Sequence, residues 1–361
     1  MSAGEPSGDA HAAQVIHNLL QQRPDLTVEG IGGPHLVQAG ASLLGDIRNL
    51  SVVGLAEGLD SLPAHVRLFR KIDHRLATAD YDLALLVDYP GFNLRLAARA
   101  ARHGVPVLYY IAPQVWAWGQ WRVSTLRQHV TQLAVVLPFE ELYFRDRGVA
   151  ATFVGHPLLD HAVGDRASSR RALGLPSGAP TLAVFPGSRS SERQRLWPAF
   201  RKTAELLRGT IPDLEIVVGT AHPTADPPPG FRFCPDQSLT ILAAADVALC
   251  KSGTTTLEAA ISGVPMAVAY RVHPLTYAVA RRLVRVPHVS LVNLVAGRAV
   301  VPEFLQRRVV PRDMRRALEP LFNQDHRATL QQRADLVAVQ HALGSPGVGR
   351  RVAELALEVA A

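Results

Sequence analysis

The stretch that decides the fold is 181–192, which reads TLAVFPGSRSSE. Its first five residues, Thr181–Phe185, are typical of a buried strand, and helical spacing starts at Glu192 and continues to Arg208. The turn at 186–189 lies between them. Strand, glycine-containing turn and helix in direct succession predict one half of a βαβ unit in a parallel sheet.

The same succession recurs on both sides of this stretch. It predicts an α/β protein whose parallel sheets are covered by helices, because strands that alternate with helical segments return to the same sheet through a helix. The further predicted strands are 82–88, 105–111, 215–219, 246–250 and 265–269. The further predicted helices are 93–103, 255–262 and one that starts at His11.

The periodicity breaks at 155–174, and this break predicts two Rossmann-like, doubly wound domains. We place an N-terminal domain at 1–160, a C-terminal domain at 161–345 and a helix at 346–361 that packs back on the N-terminal domain. Ligands of such sheets bind beyond the carboxyl ends of the strands, so we expect a cleft between the domains. A proline-rich segment at 221–230 is interpreted as a loop.

Composition excludes several classes of protein. Hydrophobic residues make up 48% of the 361 residues and charged residues 19%, which is typical of a globular chain. Two cysteines, Cys234 and Cys250, are too few for a disulfide framework and lack metal-type spacing, so a reducing cytoplasm is expected. Neither a secretion signal nor a spanning apolar segment is recognisable, and peripheral membrane attachment remains open.

The basic residues are almost all arginines. Lys71, Lys202 and Lys251 are the only lysines among 38 basic residues, and the net charge is +7. The forked donors of arginine suit phosphate, and the balance fits an anionic substrate or an acidic membrane surface. Because the arginines are dispersed and no RNA or DNA motif occurs, nucleic acid is not expected as a partner.

Two glycine-containing turns are candidates for holding phosphate, because each follows a predicted strand and precedes a predicted helix. Backbone N–H groups at a helix start bind phosphate, and Arg189 adds a forked donor. Neither turn is a Walker loop or a dinucleotide G-x-G-x-x-G, and an ordinary strand-to-helix turn is the alternative for each. The candidate residues are Gly187, Ser188 and Arg189 in one turn and Ser252, Gly253 and Thr254 in the other.

Two carboxylates are candidate site residues, each with a structural alternative. Glu258 follows Thr254 by four residues and suits the hydroxyls of a ribose, unless it is only a first-turn acid favoured by the helix dipole. Asp88 ends a predicted strand, where a general base would face the cleft. Its alternative role is to cap the turn before the next helix.

Histidines and amphipathic segments give weaker signals. His156 and His288 are further candidate bases, and with His11 they show no metal-ligand spacing, so no metal site is expected. The segment 59–76 alternates apolar and basic residues at helical spacing. It fits either an anionic membrane surface or packing on its own sheet. A second basic group consists of Arg281, Arg282 and Arg285. Three interpretations are open for it, namely contact with phosphate, contact with a lipid headgroup or exposure to solvent.

Eleven segments in order resemble the lipid-A-disaccharide synthase family, whose members are glycosyltransferases with two Rossmann-like domains of the GT-B type. Each segment alone is weak, and together they cover nearly the whole chain. They are AGEPSGD (3–9), IGGP (31–34), LSVVGLAE (50–57), DYPGFNLRLA (88–97), PQVWAW (113–118), LPFE (137–140), FVGHPLLD (153–160), PGSRSSE (186–192), SGTTTLEAA (252–260), AYRVHPLTY (269–277) and SLVNLVAGRAVVPEFLQ (290–306).

The resemblance implies an inverting transfer of diacylglucosamine from its UDP derivative to diacylglucosamine-1-phosphate (lipid X), in lipid A biosynthesis. It implies a hexosyltransferase that works without a cofactor, in the cytoplasm and peripherally on the inner face of the cell membrane. Asp88 would be the general base. The substrate-binding residues it implies are Gly187, Ser188, Arg189, Ser252, Gly253 and Thr254 near the diphosphate, Glu258 near the ribose, Asn293 and Arg298 along the cleft, and Gly4, Ser7 and Gly8.

Three departures from the family pattern stand out. DYPGFN replaces DAPDFN, and PQVWAW replaces PSVWAW, so Tyr89, Gly91 and Gln114 alter the acceptor side. The family also has a strand before AGExSGD that is missing here, so we expect an upstream start and, in this chain, an empty sheet position. The alternative functions are a UDP-sugar epimerase, a glycosyltransferase with another acceptor, or a non-catalytic nucleotide-sugar binding protein.

Overall fold

A computed structural model describes residues 1–47, 62–220, 227–274, 276–278 and 286–361, with only the backbone of 62–65. Within these residues the chain forms two compact units. The first unit is Met1–Asp160 with Leu343–Ala361, and the second unit is His161–Ala342. The predicted segments 50–57 and 281–285, with their basic group, lie outside the described residues.

Strands and helices alternate through most of both units. The strands are β1 (Ser2–Ala3), β2 (Glu29–Gly32), β3 (Ser42–Asp46), β4 (Ala84–Val87), β5 (Val107–Tyr110), β6 (Gln132–Val135), β7 (Ala151–Phe153), β8 (Thr181–Phe185), β9 (Glu215–Gly219), β10 (Arg232–Cys234), β11 (Val247–Lys251), β12 (Met266–Tyr270) and β13 (Glu303–Leu305). The helices are α1 (Pro6–Gln22), α2 (Pro34–Gln38), α3 (Leu62–Thr78), α4 (Pro90–Arg102), α5 (Val123–His129), α6 (Pro138–Arg145), α7 (Arg166–Ala172), α8 (Ser190–Arg208), α9 (Ser238–Ala244), α10 (Thr254–Ile261), α11 (Leu291–Ala296), α12 (Pro311–Leu318), α13 (Arg327–Ala342) and α14 (Val348–Ala360).

Each unit is built on a parallel sheet whose strand order reverses once. The first sheet runs β3-β2-β1-β4-β5-β6-β7 and the second β10-β9-β8-β11-β12-β13. The order therefore reverses between β1 and β4 and between β8 and β11, and ligands of doubly wound sheets bind at such points. The predicted α/β class with two doubly wound, Rossmann-like units is confirmed.

The sheet position before AGEPSGD is occupied, so the expectation of an empty position is wrong. Ser2–Ala3 form β1, in which Ser2 pairs with Ile31 of β2 and with Leu86 of β4. Met1 extends this register, because its carbonyl accepts a hydrogen bond of 2.9 Å from the Ile31 N–H. Two strand residues are enough to join the two halves of the sheet.

Several helices begin earlier than periodicity predicts, because a proline opens them. α1 begins at Pro6 instead of His11, and α4 begins at Pro90 instead of Asn93. Proline fits a first helical position, where its missing N–H removes no bond and its fixed φ is already helical. A pattern of apolar spacing does not register such a first turn.

The C-terminal helix α14 belongs to the first unit and packs on α1. The Asp160 carboxylate accepts hydrogen bonds from the Gly347 N–H at 2.6 Å and the Val348 N–H at 3.2 Å. Arg351 donates to the Val154 carbonyl at 2.8 Å. A side-chain cap and an arginine anchor thus fix both the start and the first turn of α14.

Helix α3, which covers most of the predicted 59–76 segment, packs its apolar side on the sheet of its own unit. Ile72 and Leu76 are buried, and the Phe69 ring meets the edge of Phe92 at 5.6 Å. Arg75 pairs with Glu29 at 2.7 Å, whereas Val66 remains 46% exposed. The packing interpretation therefore holds for this part of the segment. None of the described helices combines the length and apolarity that a membrane span needs.

Candidate active site

Asp88 lies directly after β4, on a backbone that is held in the left-handed region. Its φ is +47° and that of Tyr89 is +50°. The buried Asn93 side chain donates to the Asp88 carbonyl at 2.7 Å, and the Tyr109 hydroxyl donates to the same carbonyl at 2.7 Å. Two hydrogen bonds on one carbonyl hold a conformation that would otherwise cost free energy.

The Asp88 carboxyl is set up to bind a proton near neutral pH. Desolvation by burial and then the charge of Glu5 raise its pKa to about 6, and a hydrogen bond from the Tyr89 backbone N–H acts in the opposite direction. The N-cap of α4 is Tyr89, and no side chain caps that helix. Asp88 is therefore not the N-cap residue of α4, and the hydrogen bond from the Tyr89 N–H to its carboxyl agrees with the alternative role of capping the turn before that helix.

The AGEPSGD loop faces the Asp88 turn across the reversal point of the first sheet. An added Cβ at Gly4 would overlap the Tyr89 ring, and one at Gly8 would lie 3.8 Å from the Val87 carbonyl oxygen. Tyr89 therefore fits because residue 4 is glycine. Ser7 is exposed at the start of α1, where its N–H group lies in the first turn.

Asp9 of the same motif has a structural role. It is 1% exposed, and its carboxylate accepts hydrogen bonds from the Gly33 N–H at 2.6 Å and the His35 N–H at 3.0 Å. These bonds cap the start of α2 and tie the end of β2 to α1. The Asp9 carboxylate thus holds the loop in place and is not available to a substrate, whereas Asp88 is partly exposed.

The PQVWAW and LPFE segments are joined by a buried carboxylate. The Trp116 indole N–H donates to Glu140 Oε1 at 2.8 Å, and the backbone N–H groups of Val136 and Leu137 donate to Oε2 at 3.2 and 3.0 Å. Burial raises the pKa of Glu140 to about 7, against these hydrogen bonds. The Trp116–Glu140 hydrogen bond therefore holds the two segments together. No signal in the sequence indicated this pair.

In the second unit the turn at Gly187 brings the backbone close to a glutamate. The φ of Gly187 is +113°, and an added Cβ would lie 2.7 Å from Glu192 Oε2. Ser188 and Arg189 are exposed, and Arg189 is the N-cap of α8, a helix of 19 residues. The turn therefore presents a guanidinium beside the positive end of a long helix.

Glu192 and Lys251 connect the two phosphate-loop candidates. Lys251 Nζ lies 2.9 Å from Glu192 Oε1, and both side chains are largely buried. The Arg189 N–H approaches Glu192 Oε2 at 3.5 Å, and Lys251 Nζ lies 5.9 Å from the Tyr270 ring centroid. Sequence reasoning did not single out this pair, because the contact joins residues 59 positions apart.

The second loop divides its polar groups between the interior and the surface. The Ser252 hydroxyl donates to the Val289 carbonyl at 2.7 Å and the Ser252 N–H donates to the Ala269 carbonyl at 3.0 Å, so both of its donors are used. Gly253 is the N-cap of α10, and Thr254 is exposed in its first turn. Of the three candidates, Gly253 and Thr254 offer free donors at the helix start.

Glu258 carries a carboxylate oxygen that lacks a hydrogen bond. Desolvation by burial raises its pKa, while a hydrogen bond from Ser238 and the charge of His161 lower it. Among the described residues none hydrogen-bonds to Glu258 Oε2. A buried oxygen of this kind is costly unless a donor arrives, and a ribose hydroxyl would be a suitable donor.

Asn293 has a structural role. The expectation that its side chain lines a substrate cleft is corrected here, because the side chain is buried inside the second unit. It is fully buried and donates to the Val301 carbonyl at 3.0 Å and to Glu303 Oε1 at 2.8 Å. Its Oδ1 accepts from the Val300 and Val301 N–H groups at 2.8 and 3.0 Å. Both donors and both acceptor positions are used, so the side chain shapes the loop from inside.

Two further candidate residues from the sequence analysis, Arg298 and His156, differ in exposure. Arg298 is exposed, and its guanidinium pairs with the buried Asp335 carboxylate, which raises the Arg298 pKa and leaves other N–H groups at the surface. His156 is buried, and its Nδ1 accepts from the Leu158 N–H at 3.3 Å. Burial and the nearby His11 lower the His156 pKa to about 4, which favours the neutral imidazole near pH 7.

Comparison with known sequences identifies relatives over the full length. A family model described as Lipid-A-disaccharide synthetase matches residues 1–344. A lipid-A-disaccharide synthase of Anaeromyxobacter dehalogenans (strain 2CP-C) is 44% identical over 99% of this chain and 96% of its own length. A protein of the same name from Nitrosococcus oceani is 41% identical over 98% of this chain and 94% of its own length.

Solved structures share the fold at low identity. The glycosyltransferase of kitacinnamycin matches with a TM-score of 0.67 at 18% identity, over 99% of this chain and 98% of that one. A UDP-GlcNAc 2-epimerase from Neisseria meningitidis, solved with UDP-GlcNAc, matches with a TM-score of 0.68 at 11% identity over 99% and 98%. At these identities the likeness shows the GT-B architecture and does not separate a transferase from an epimerase.

Proposed function

The chain belongs to the lipid-A-disaccharide synthase family, and from that premise we propose that Asp88 is its general base and that two loops of the second unit hold the UDP of its donor. It is a hexosyltransferase of lipid A biosynthesis, which joins a UDP-sugar donor to a lipid acceptor. The observation that carries the assignment is the 44% identity across 99% of the chain. The epimerase alternative is not favoured, because it rests on fold likeness alone.

The proposed reaction transfers diacylglucosamine from UDP-diacylglucosamine to diacylglucosamine-1-phosphate. Asp88 removes the proton of the acceptor hydroxyl as that oxygen forms a bond to C1 of the donor sugar. The bond from C1 to the UDP oxygen breaks, UDP leaves with the electron pair, and C1 inverts. A pKa of about 6 suits this step, because the carboxylate is mostly ionised at pH 7 and still basic enough to accept a proton.

The proposed donor site uses positive charge and backbone donors. Arg189 and the first N–H groups of α8 would face the diphosphate, and Gly253 and Thr254 would do so from the start of α10. Lys251 is paired with Glu192 at 2.9 Å, so the positive charge offered to the diphosphate is that of Arg189. Glu258 Oε2 would accept from a ribose hydroxyl. Arg298 keeps free N–H groups for an anionic part of the donor.

Peripheral attachment to an anionic membrane surface is part of the proposal, since both substrates carry acyl chains. On the described part of α3, the exposed side chains of Arg67, Arg70 and Val66 support this attachment. Such a surface binds through charge and would release at high salt. Co-sedimentation with vesicles that contain phosphatidylglycerol, at low and high salt, tests this part.

Turnover tests the function as a whole. Purified protein with UDP-diacylglucosamine and diacylglucosamine-1-phosphate should release UDP only when both are present, and mass spectrometry should find the disaccharide phosphate. Asp88→Ala should abolish this turnover while UDP still binds. The matched control is Asp82→Ala, an exposed aspartate at the opposite end of the same strand, which should leave the rate unchanged. UDP release without acceptor would contradict the transfer reaction.

A further inference from the structure

We propose that Arg122, stacked on Trp118, binds the phosphate of the acceptor. This inference deepens the proposed function and rests on it, because it assigns the acceptor phosphate to a residue outside the eleven segments. The pair lies in the loop that follows β5. Since β5 neighbours β4 in a parallel sheet, this loop emerges at the same edge as the Asp88 turn.

The loop presents two indole rings and one guanidinium to the surface. Trp118 is 49% exposed and Trp121 is 65% exposed, although tryptophan is usually largely buried in soluble proteins. The Arg122 guanidinium carbon lies 5.0 Å from the Trp118 ring centroid. A Cβ added at Gly119 would lie 3.7 Å from the Trp121 ring, so the two indoles flank the turn.

Arg122 is oriented by an aromatic ring and not by a carboxylate. The guanidinium lies over the Trp118 ring, and its side chain makes no ion pair or hydrogen bond with a described residue. Arg75, Arg99 and Arg145 of the same unit all pair with acids at 2.7 to 3.1 Å. An ordered guanidinium whose N–H groups are unused is a suitable partner for a doubly charged phosphate.

Arg122 and the proposed base follow neighbouring parallel strands, so both belong to the same edge of the first sheet. The positive charge of Arg122 and the negative charge of Asp88 act in opposite directions on the pKa of the Tyr109 hydroxyl, which burial raises well above its usual value. That hydroxyl donates to the Asp88 carbonyl at 2.7 Å. In the proposed complex the reacting hydroxyl of the acceptor sugar would lie at Asp88 and its phosphate at Arg122, with the indoles beside the apolar part of the lipid.

The test measures binding and turnover with two acceptors in detergent micelles, diacylglucosamine-1-phosphate and the same lipid without its phosphate. For the wild-type protein, loss of the phosphate should weaken binding about 10- to 100-fold, as expected for charge-assisted hydrogen bonds. Arg122→Gln should weaken binding of the phosphorylated lipid by the same factor. It should leave binding of the other lipid and the KM of the UDP-sugar unchanged.

Matched variants separate this role from a structural one. Arg127→Gln removes an exposed arginine of the adjacent α5 and should leave both acceptors unaffected. Trp118→Leu should reproduce part of the Arg122→Gln effect on the phosphorylated lipid, because it removes the surface that orients the guanidinium. Circular dichroism of each variant checks that the first unit still folds.

Two results would overturn the proposal. Arg122→Gln weakening both lipids equally would show that the residue does not contact the phosphate. Loss of binding to phosphatidylglycerol vesicles, with unchanged micellar binding, would assign Arg122 to membrane headgroups instead. Phosphate-dependent binding through Arg122 without any turnover would support this site and contradict the proposed transfer reaction.

Discussion

The two reversal points of the molecule carry similar loops with opposite character. At the first, Asp88 is partly buried on a left-handed turn, and desolvation raises its pKa to about 6. At the second, Arg189 is exposed and Lys251 is already neutralised by Glu192 at 2.9 Å. The contrast supports the proposed division of labour, in which the first edge would transfer a proton and the second would bind a diphosphate.

The largest expected effect comes from removing the proton acceptor of the first edge. Asp88→Asn should lower kcat about 10²- to 10⁴-fold, the usual contribution of a general base. The affinity for UDP should not change, because the diphosphate contacts are assigned to the second unit. Rapid-quench turnover and calorimetry of UDP binding measure the two quantities. If Asp88→Asn lowered the affinity for UDP as strongly as it lowers kcat, the first edge would also be involved in binding UDP, contrary to the proposed division.

A smaller and complementary effect is expected at the second edge. Arg189→Gln should weaken UDP binding about 10- to 100-fold, since it removes a charge-assisted contact to phosphate. Isothermal titration measures this, with Arg201→Gln as the control, because Arg201 lies on the same helix and pairs with Glu205 at 2.8 Å. Equal losses in the two variants would mean that net charge, and not the helix start, holds the diphosphate.

The smallest effect concerns the stability of the first edge. Trp116→Phe should destabilise the fold by about 1–3 kcal/mol, because Glu140 Oε1 is left buried without its donor. The pKa of the Glu140 carboxyl is about 4.3 in the unfolded chain and is raised to about 7 in the folded protein. The contribution of this group to stability is therefore fully present below about pH 4.3 and is lost as the pH rises through about 7.

Loss of the indole donor therefore matters most where the carboxylate is charged. Urea unfolding at pH 6 and pH 8 should give a larger loss at pH 8 for Trp116→Phe. Trp121→Phe, which changes an exposed indole, serves as the control and should have little effect at either pH. A loss that is the same at both pH values would show that packing, and not the hydrogen bond, is what the indole supplies.

How much the sequence could predict differs between the backbone and the side chains. The strands at Thr181–Phe185 and Glu215–Gly219 follow from apolar runs, and the fold class follows from their alternation with helices. Helix starts at Pro6 and Pro90 were missed, because a first turn opened by proline adds no apolar period.

Side-chain roles were less accessible, because they depend on contacts between distant residues. The position of Asp88 at a strand end was predictable, but its left-handed turn depends on Asn93 and Tyr109. The full use of the Asn293 amide and the Glu192–Lys251 pair required the folded chain. A motif therefore indicates which residues matter before it indicates which of them face a ligand.

The central claim is that the partly buried Asp88 is the base of the transfer reaction, and the pH dependence of kcat/KM for the acceptor tests it most directly. The account predicts a tenfold fall per pH unit below about pH 6, which disappears in the residual activity of Asp88→Asn. A rate that stays level down to pH 5, or a fall that persists in the variant, would contradict the assignment of Asp88 as the base.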